Sequence, residues 1–167
     1  MKRVLSILVL VAVAGGAIWW LAVKRPADLA AAAQQEQEAN EAASRAQREA
    51  MFGPEALAAD VQWRPTGLGF RIENEGDGPK PTVGTRVRMN YRGRLRDGTV
   101  FDQSKEPVVF AVGQMVPGMN AAAMMLGTGG KGVFFIPPAL GYGRRAAGPI
   151  PANSGLIFEV EILALNP

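Results

Sequence analysis

The sequence predicts an α+β domain, several antiparallel strands with one short helix on a face, preceded by a membrane segment and a helical stalk. Three observations predict it. Val87, Met89, Tyr91, Gly93 and Leu95 alternate with Arg86, Arg88, Asn90, Arg92, Arg94 and Arg96, a period of two that marks a half-buried strand. Asp97-Gly98 follows at once and reads as a two-residue hairpin of the kind that needs positive φ. Pro117–Leu126, with Ala121–Ala123 in its middle and Met119, Met124 and Met125 nearby, is a short helix amid strands, suited to plugging one side of a curved sheet.

The elements follow in order. Val4–Val23 is an apolar run whose only conventionally polar side chain is Ser6. A run of about 20 apolar residues spans a bilayer core. Ala12-Val13-Ala14 imitates a signal-cleavage site, but Ile18-Trp19-Trp20-Leu21 carries the run past it. An uncleaved anchor is therefore favoured over a cleaved signal, with the tryptophans at the interface. Lys2 and Arg3 on one flank nearly balance Lys24 and Arg25 on the other. The free amino terminus tips the orientation towards N-terminus inside, which puts the bulk of a single-pass inner-membrane protein outside the cytoplasm. From Asp28 to Phe52 the chain is rich in Ala, Gln, Glu and Arg, all good helix formers, and Gly53-Pro54 is a stop signal. Without a wide apolar stripe this helix reads as a solvated stalk; an Ala-rich dimerising helix is the alternative. The expected boundaries are 1–25 for the anchor, 26–65 for the stalk and linker, and 66–167 for the domain.

Within the domain, a helical turn at Glu55–Ala59 precedes strands at Leu68–Glu73, at Phe101-Asp102 after the hairpin, at Phe110–Val112, at Lys131–Pro137 and at Leu156–Leu163. The arginines of the alternating strand make a solvated outer face; acidic partners or lipid headgroups are the sharper alternative. Gly127-Thr128-Gly129-Gly130-Lys131 is not a phosphate loop: Met125 stands where the first glycine belongs, and Gly132 where Ser or Thr belongs. Nothing in the spacing of Asp97 and Asp102 supports a hydrolytic carboxylate pair.

Composition narrows the chemistry. The chain has 167 residues, Lys+Arg 18 against Asp+Glu 15, no histidine and no cysteine. The formal charge of +3 is too weak to argue for nucleic acid, and thiolate and imidazole catalysis are excluded. Carboxylates, hydroxyls, backbone amides and shape remain. Phe134-Phe135-Ile136-Pro137-Pro138-Ala139-Leu140-Gly141-Tyr142-Gly143 shows how they could be used. The prolines end ladder pairing, and glycines on either side of Tyr142 free the chain to present its hydroxyl over a pocket.

Taken together, these residues resemble the FKBP-type peptidyl-prolyl isomerases. The matching pieces are Gly76-Asp77-Gly78, Tyr91-Arg92-Gly93, Asp97 through Asp102, Val116-Pro117-Gly118, Ile136-Pro137-Pro138 through Tyr142-Gly143, Pro149 through Asn153, and Leu156 through Glu161, in the family's order from about Gly67 to Leu165. The resemblance implies a curved antiparallel sheet wrapped around a short helix, with an apolar proline pocket between them. It implies catalytic roles for Phe101, Asp102 and Tyr142, and substrate-binding roles for Tyr91, Phe110, Met115, Val116, Met119, Ile150 and Phe158. The Tyr142 hydroxyl and the Ile150 amide are expected to hold substrate or macrolide carbonyls. Proline-containing polypeptides are the expected clients, no cofactor or metal is implied, and nucleic acid is not an expected partner. The chain departs from the family pattern where Met119 replaces a frequent Trp, where Val108 replaces a frequent aromatic, and in a short Asp102–Pro107 loop with only Lys105 as a basic partner for Asp102. Each departure bears on activity more than on fold, so a binding or chaperone module that keeps the pocket without the rate is the alternative.

Overall fold

The computed structural model describes residues 26–167. The expected membrane segment Val4–Val23 lies outside them, and among the described residues no helix is long and apolar enough to cross a membrane. The chain divides into two compact units, one ending at Ala39 and the other running Asn40–Pro167. Helix α1 covers Pro26–Phe52, and its side chains from Leu29 to Ala43 are exposed, as an Ala, Gln and Glu composition requires. Gly53, at φ 87, ends it through a bond from its own N–H to the Glu49 carbonyl at 2.8 Å, the left-handed glycine stop.

The second unit is built on strands β1 (Gln62–Trp63), β2 (Gly69–Asn74), β3 (Arg86–Arg94), β4 (Val100–Gln103), β5 (Val108–Ala111), β6 (Lys131–Ile136) and β7 (Leu156–Leu165), with helix α2 at Pro117–Ala123. They form one antiparallel sheet in the order β1-β2-β6-β7-β3-β4, with β5 also on β3. The free edge of β3 is therefore shared: β4 pairs with Arg92–Arg94 and β5 with Arg86–Met89. At Tyr91, between the two partners, Ser104 takes over. Its N–H donates to the Tyr91 carbonyl at 3.0 Å, and its hydroxyl accepts the Tyr91 N–H at 3.0 Å. This satisfies a backbone that would otherwise be orphaned at the split.

The turn from β3 to β4 differs from the expected two-residue hairpin. Gly98 N–H donates to the Leu95 carbonyl at 3.0 Å and Leu95 N–H to Thr99 at 2.9 Å, and only Gly98, at φ 86, has positive φ. This is a type I turn followed by a glycine bulge, the three-residue solution. Asp97 keeps the negative φ of a type I turn, and its carboxylate accepts the Thr99 N–H at 2.9 Å, a local bond that suits Asp in a turn and holds its carboxyl below the usual range.

The two faces of the sheet carry separate apolar clusters. On the concave face Val87, Met89, Phe134, Ile136, Phe158, Val160 and Ile162 pack with Met119, Ala122 and Ala123 of α2. On the convex face Val133, Phe135 and Ile157 pack with Phe52 and Ala56, flanked by Met51, Val61 and Trp63. The reading of α1 as solvated throughout therefore fails at its last turn: Phe52 is only 2% exposed. Its ring lies 5.7 Å from Phe135, edge to face, and 5.8 Å from Trp63. The arginine face is likewise only partly solvated. Arg94 Nη2 meets Glu55 Oε2 at 2.6 Å, and Arg96 Nη1 donates to the Ala50 carbonyl at 2.7 Å, occupying a carbonyl that the helix end leaves open. The period-two pattern shows which β3 residues face outward, but not that a helix end lands there.

Candidate active site

On the concave face the sheet and α2 leave a cavity of about 270 Å³. Met119 forms its floor, 5% exposed. Phe110 and Phe158 wall it, Met115 and Val116 close the side nearest α2, and Tyr91, Asp102, Gln114 and Tyr142 bring polar groups to its mouth. The apolar groups lie deep and the hydrogen-bonding groups at the rim. That arrangement fixes a ligand's orientation without a buried unpaired charge.

The walls are held by aromatic packing. Tyr91 lies 6.1 Å from Phe110 and 6.2 Å from Phe158, and Phe101 meets Phe158 edge-on at 5.4 Å, a geometry that aromatic quadrupoles favour. Gly93 makes the last contact feasible. A Cβ there would come 2.6 Å from the Phe101 ring and 2.7 Å from Phe158, so the small residue at this point of β3 is a packing requirement of the pocket wall.

At the rim the Tyr91 hydroxyl donates to Asp102 Oδ2 at 2.7 Å. Burial, then the hydrogen bond to Asp102 and the charge of its carboxylate, then nearby Tyr142, push the Tyr91 phenol up to about 12. Tyr91 therefore stays a neutral donor across the physiological range. Among the described residues Asp102 has no ion pair with Lys105 or any arginine; the Tyr91 hydroxyl is the partner found for it.

Tyr142 is 42% exposed and stands on a braced loop. A 3-10 turn at Pro138–Leu140 precedes it, Gly143 N–H donates back to the Pro138 carbonyl at 2.9 Å, and Asn153 N–H donates to the Gly143 carbonyl at 2.8 Å. Gly143, at φ 63, makes that return bond feasible. Among the described residues no side-chain or backbone partner takes up the Tyr142 hydroxyl, so it is available at the cavity mouth.

Of the residues expected at the site, Tyr91, Asp102, Phe110, Met115, Val116, Met119, Tyr142 and Phe158 come together around the cavity. Phe101 and Ile150 stand outside this lining: Phe101 buttresses Phe158, and the Ile150 side chain is buried in the core. The Ile150 N–H already donates to the Ala147 carbonyl at 3.0 Å. Gln114 and Ser104 escaped the sequence reading. Gln114 is a polar residue in a loop, and its place at the mouth depends on how β5 meets α2. Ser104 matters only because β3 changes partners beside it.

An apolar cavity between a curved sheet and one helix, with aromatic walls and polar groups at its mouth, is the arrangement the site presents. Residues 78–163 match the model of the FKBP-type peptidyl-prolyl cis-trans isomerases, and the chain belongs to that family. It is 40% identical over 122 residues to the FKBP-type isomerase FkpA of Aeromonas hydrophila, covering 68% of this chain and 46% of that protein. Against the FKBP-type 22 kDa isomerase of Escherichia coli the identity is 45% over 104 residues, covering 60% and 50%. The crystal structure of FkpA from Escherichia coli superposes with a TM-score of 0.67 at 33% identity, covering 84% of this chain and 66% of that one. The chain spans about half the length of the curated relatives it matches.

Proposed function

We propose that this cavity accelerates rotation about X-Pro bonds in polypeptide clients. The observation that supports the reading most is the segregation of the cavity lining, with Met119 and Phe158 buried, Phe110 and Tyr91 half-buried, and Asp102 and Tyr142 exposed. Family membership supports it. The unassisted barrier is about 18–20 kcal/mol, and rotation takes tens to hundreds of seconds. No bond breaks. The twisted amide of the transition state has lost resonance and is less dipolar than the planar form, so an apolar, water-poor cavity favours it over the ground state. Met119, Val116, Phe110 and Phe158 seat the proline ring, while Phe101 acts through Phe158 by fixing its tilt. Tyr142 donates to a flanking carbonyl, and Asp102, held by Tyr91, sets the polar rim. The Ile150 amide joins Tyr142 only by sharing or leaving its bond to Ala147, which makes Tyr142 the principal donor. The same cavity takes macrolide ligands that present an apolar ring and carbonyls.

The apolar run Val4–Val23 supports a membrane-anchored protein whose domain works outside the cytoplasm, and the solvated surface of α1 supports a spacer role or self-association through the stalk. A second reading, a binding or chaperone module with little rate enhancement, is favoured by Met119: a flexible thioether shapes a cavity floor less rigidly than an aromatic ring. The test is the isomerisation rate of an Ala-Leu-Pro-Phe peptide with the full chain in detergent, beside Asp102→Ala and Tyr142→Phe. A wild-type rate above solvent that falls in both variants supports the enzyme. A solvent rate with the peptide still bound supports the module.

A further inference from the structure

Asn120 follows the cavity floor residue Met119 on α2, and its side chain turns back onto the loop joining β5 to α2. Its Oδ1 accepts the Gly113 N–H at 2.7 Å and lies 3.4 Å from the Met115 N–H, while its Nδ2 donates to the Met115 carbonyl at 2.7 Å. That loop supplies the consecutive lining residues Gln114, Met115 and Val116. Its other ties are backbone bonds near its two ends: Val112 donates to the Thr85 carbonyl and accepts the Gly84 N–H, both at 2.9 Å, Gln114 N–H reaches back to Ala111 at 3.0 Å, and the Val116 carbonyl accepts the Asn120 N–H at 3.1 Å. Val116, the residue before α2, offers no capping side chain, and Pro117 has no N–H to give. Among the described residues no other side chain hydrogen-bonds to this loop.

We propose that Asn120 is a positioning residue for the proline site, the clamp that holds one wall of the cavity in its binding-competent form; this rests on the isomerase reading above. The chemistry requires an amide. The loop presents N–H groups and a carbonyl to the same side chain, and only a group that accepts and donates at once satisfies both. A carboxylate keeps the acceptor and sets negative charge against the Met115 carbonyl, and an alanine keeps neither. Without the clamp the loop samples other arrangements, and apparent affinity falls by the fraction of molecules that remain competent.

The experiment compares the full chain with Asn120→Ala and Asn120→Asp, measuring KM and kcat for the Ala-Leu-Pro-Phe peptide and amide hydrogen exchange in parallel. If the competent loop falls to about a tenth of molecules in Asn120→Ala, KM rises about tenfold with kcat within about twofold. Exchange at Gly113 and Met115 quickens while Gly129, whose N–H is held by the Ile162 carbonyl at 2.7 Å, stays protected. Asn120→Asp, which retains the acceptor, is expected to protect Gly113 better than Asn120→Ala and to raise KM less. An unchanged KM, or unchanged exchange at Gly113, overturns the clamp. If the wild type binds the peptide without turning it over, the isomerase reading fails alone, and the dissociation constant of the same variants reads the clamp. A wild type that neither turns over nor binds the peptide overturns both.

Discussion

The two faces of the sheet use the same kinds of side chain to opposite ends. On the convex face Phe52, Phe135 and Trp63 lie 5.7 to 6.0 Å apart with Met51 and Val61 packed against them, and the space of about 360 Å³ beside Phe52 and Trp63 is lined largely by polar side chains, Ser44, Gln47, Arg48 and Arg64. On the concave face Tyr91 stands at similar separations from Phe110 and Phe158, and these rings line a cavity together with Met115, Val116 and Met119. The difference lies in what surrounds the rings: polar side chains of the long helix on one face, apolar side chains of α2 and its loop on the other. The convex cluster is covered by the end of α1, which Arg96 ties to the sheet, and by the turn after it, which Arg94 ties through Glu55. The concave rings are carried by a strand whose edge partner changes at Tyr91, by a glycine under Phe101, and by a loop clamped from α2. That frame holds the concave rings around their cavity, and such preorganisation is what a non-covalent catalyst has to offer.

The sharpest way to break that comparison is Phe52→Ala, because removing a buried ring costs about 3–5 kcal/mol. Urea unfolding is expected to show a loss of that size, while kcat/KM per folded molecule holds within about twofold. A chain beginning at Pro54 omits the same ring and is expected to lose at least as much. Loss of catalysis in step with stability would merge the two faces into one functional unit.

Phe101→Ala is expected to do the reverse. It unseats Phe158 and opens the cavity wall, lowering kcat/KM about 100-fold, equivalent to about 2.7 kcal/mol of transition-state stabilisation. The part-exposed Phe101 carries a smaller stability loss than Phe52. A smaller effect belongs to Tyr142→Phe. Loss of one neutral hydrogen bond of about 1 kcal/mol lowers kcat/KM about fivefold, leaving the unfolding midpoint in place because the hydroxyl has no partner in the described structure.

The smallest effect is on pH. Tyr91 is raised to about 12 in the folded protein, above an ordinary tyrosine at about 10. Its stabilising contribution is therefore complete below about pH 10 and lost as pH rises through about 12. The stability difference between wild type and Tyr91→Phe should shrink over that window and stay constant below it, as urea unfolding at stepped pH would read.

Much of this was legible in the sequence because side-chain alternation reports directly which face a strand residue occupies. That alternation puts Val87, Met89, Tyr91 and Gly93 on the inward face, and the ordered motifs from Gly76-Asp77-Gly78 to Leu156–Glu161 contain most of the lining residues. What escaped depends on contacts between segments far apart in the chain. Ile157 is an outward residue of β7 and yet fully buried, because Phe52, some hundred positions earlier, lands on it. Gln114 and Ser104 are ordinary polar loop residues until the split edge of β3 and the start of α2 are known. The Asp97-Gly98 turn shows the limit of a local signal: the dipeptide marks the hairpin, while the bulge that sets its register appears only in the bonding of Leu95 to Thr99.

One isomerisation measurement on the Ala-Leu-Pro-Phe peptide, with Phe52→Ala and Phe101→Ala beside the wild type and each corrected for folded fraction, separates the two faces. Fast cis–trans exchange is expected with wild type and Phe52→Ala, and exchange reduced about 100-fold with Phe101→Ala, equivalent to about 2.7 kcal/mol. Exchange at the solvent rate in the wild type, or equal rates in the two variants, would contradict that expectation.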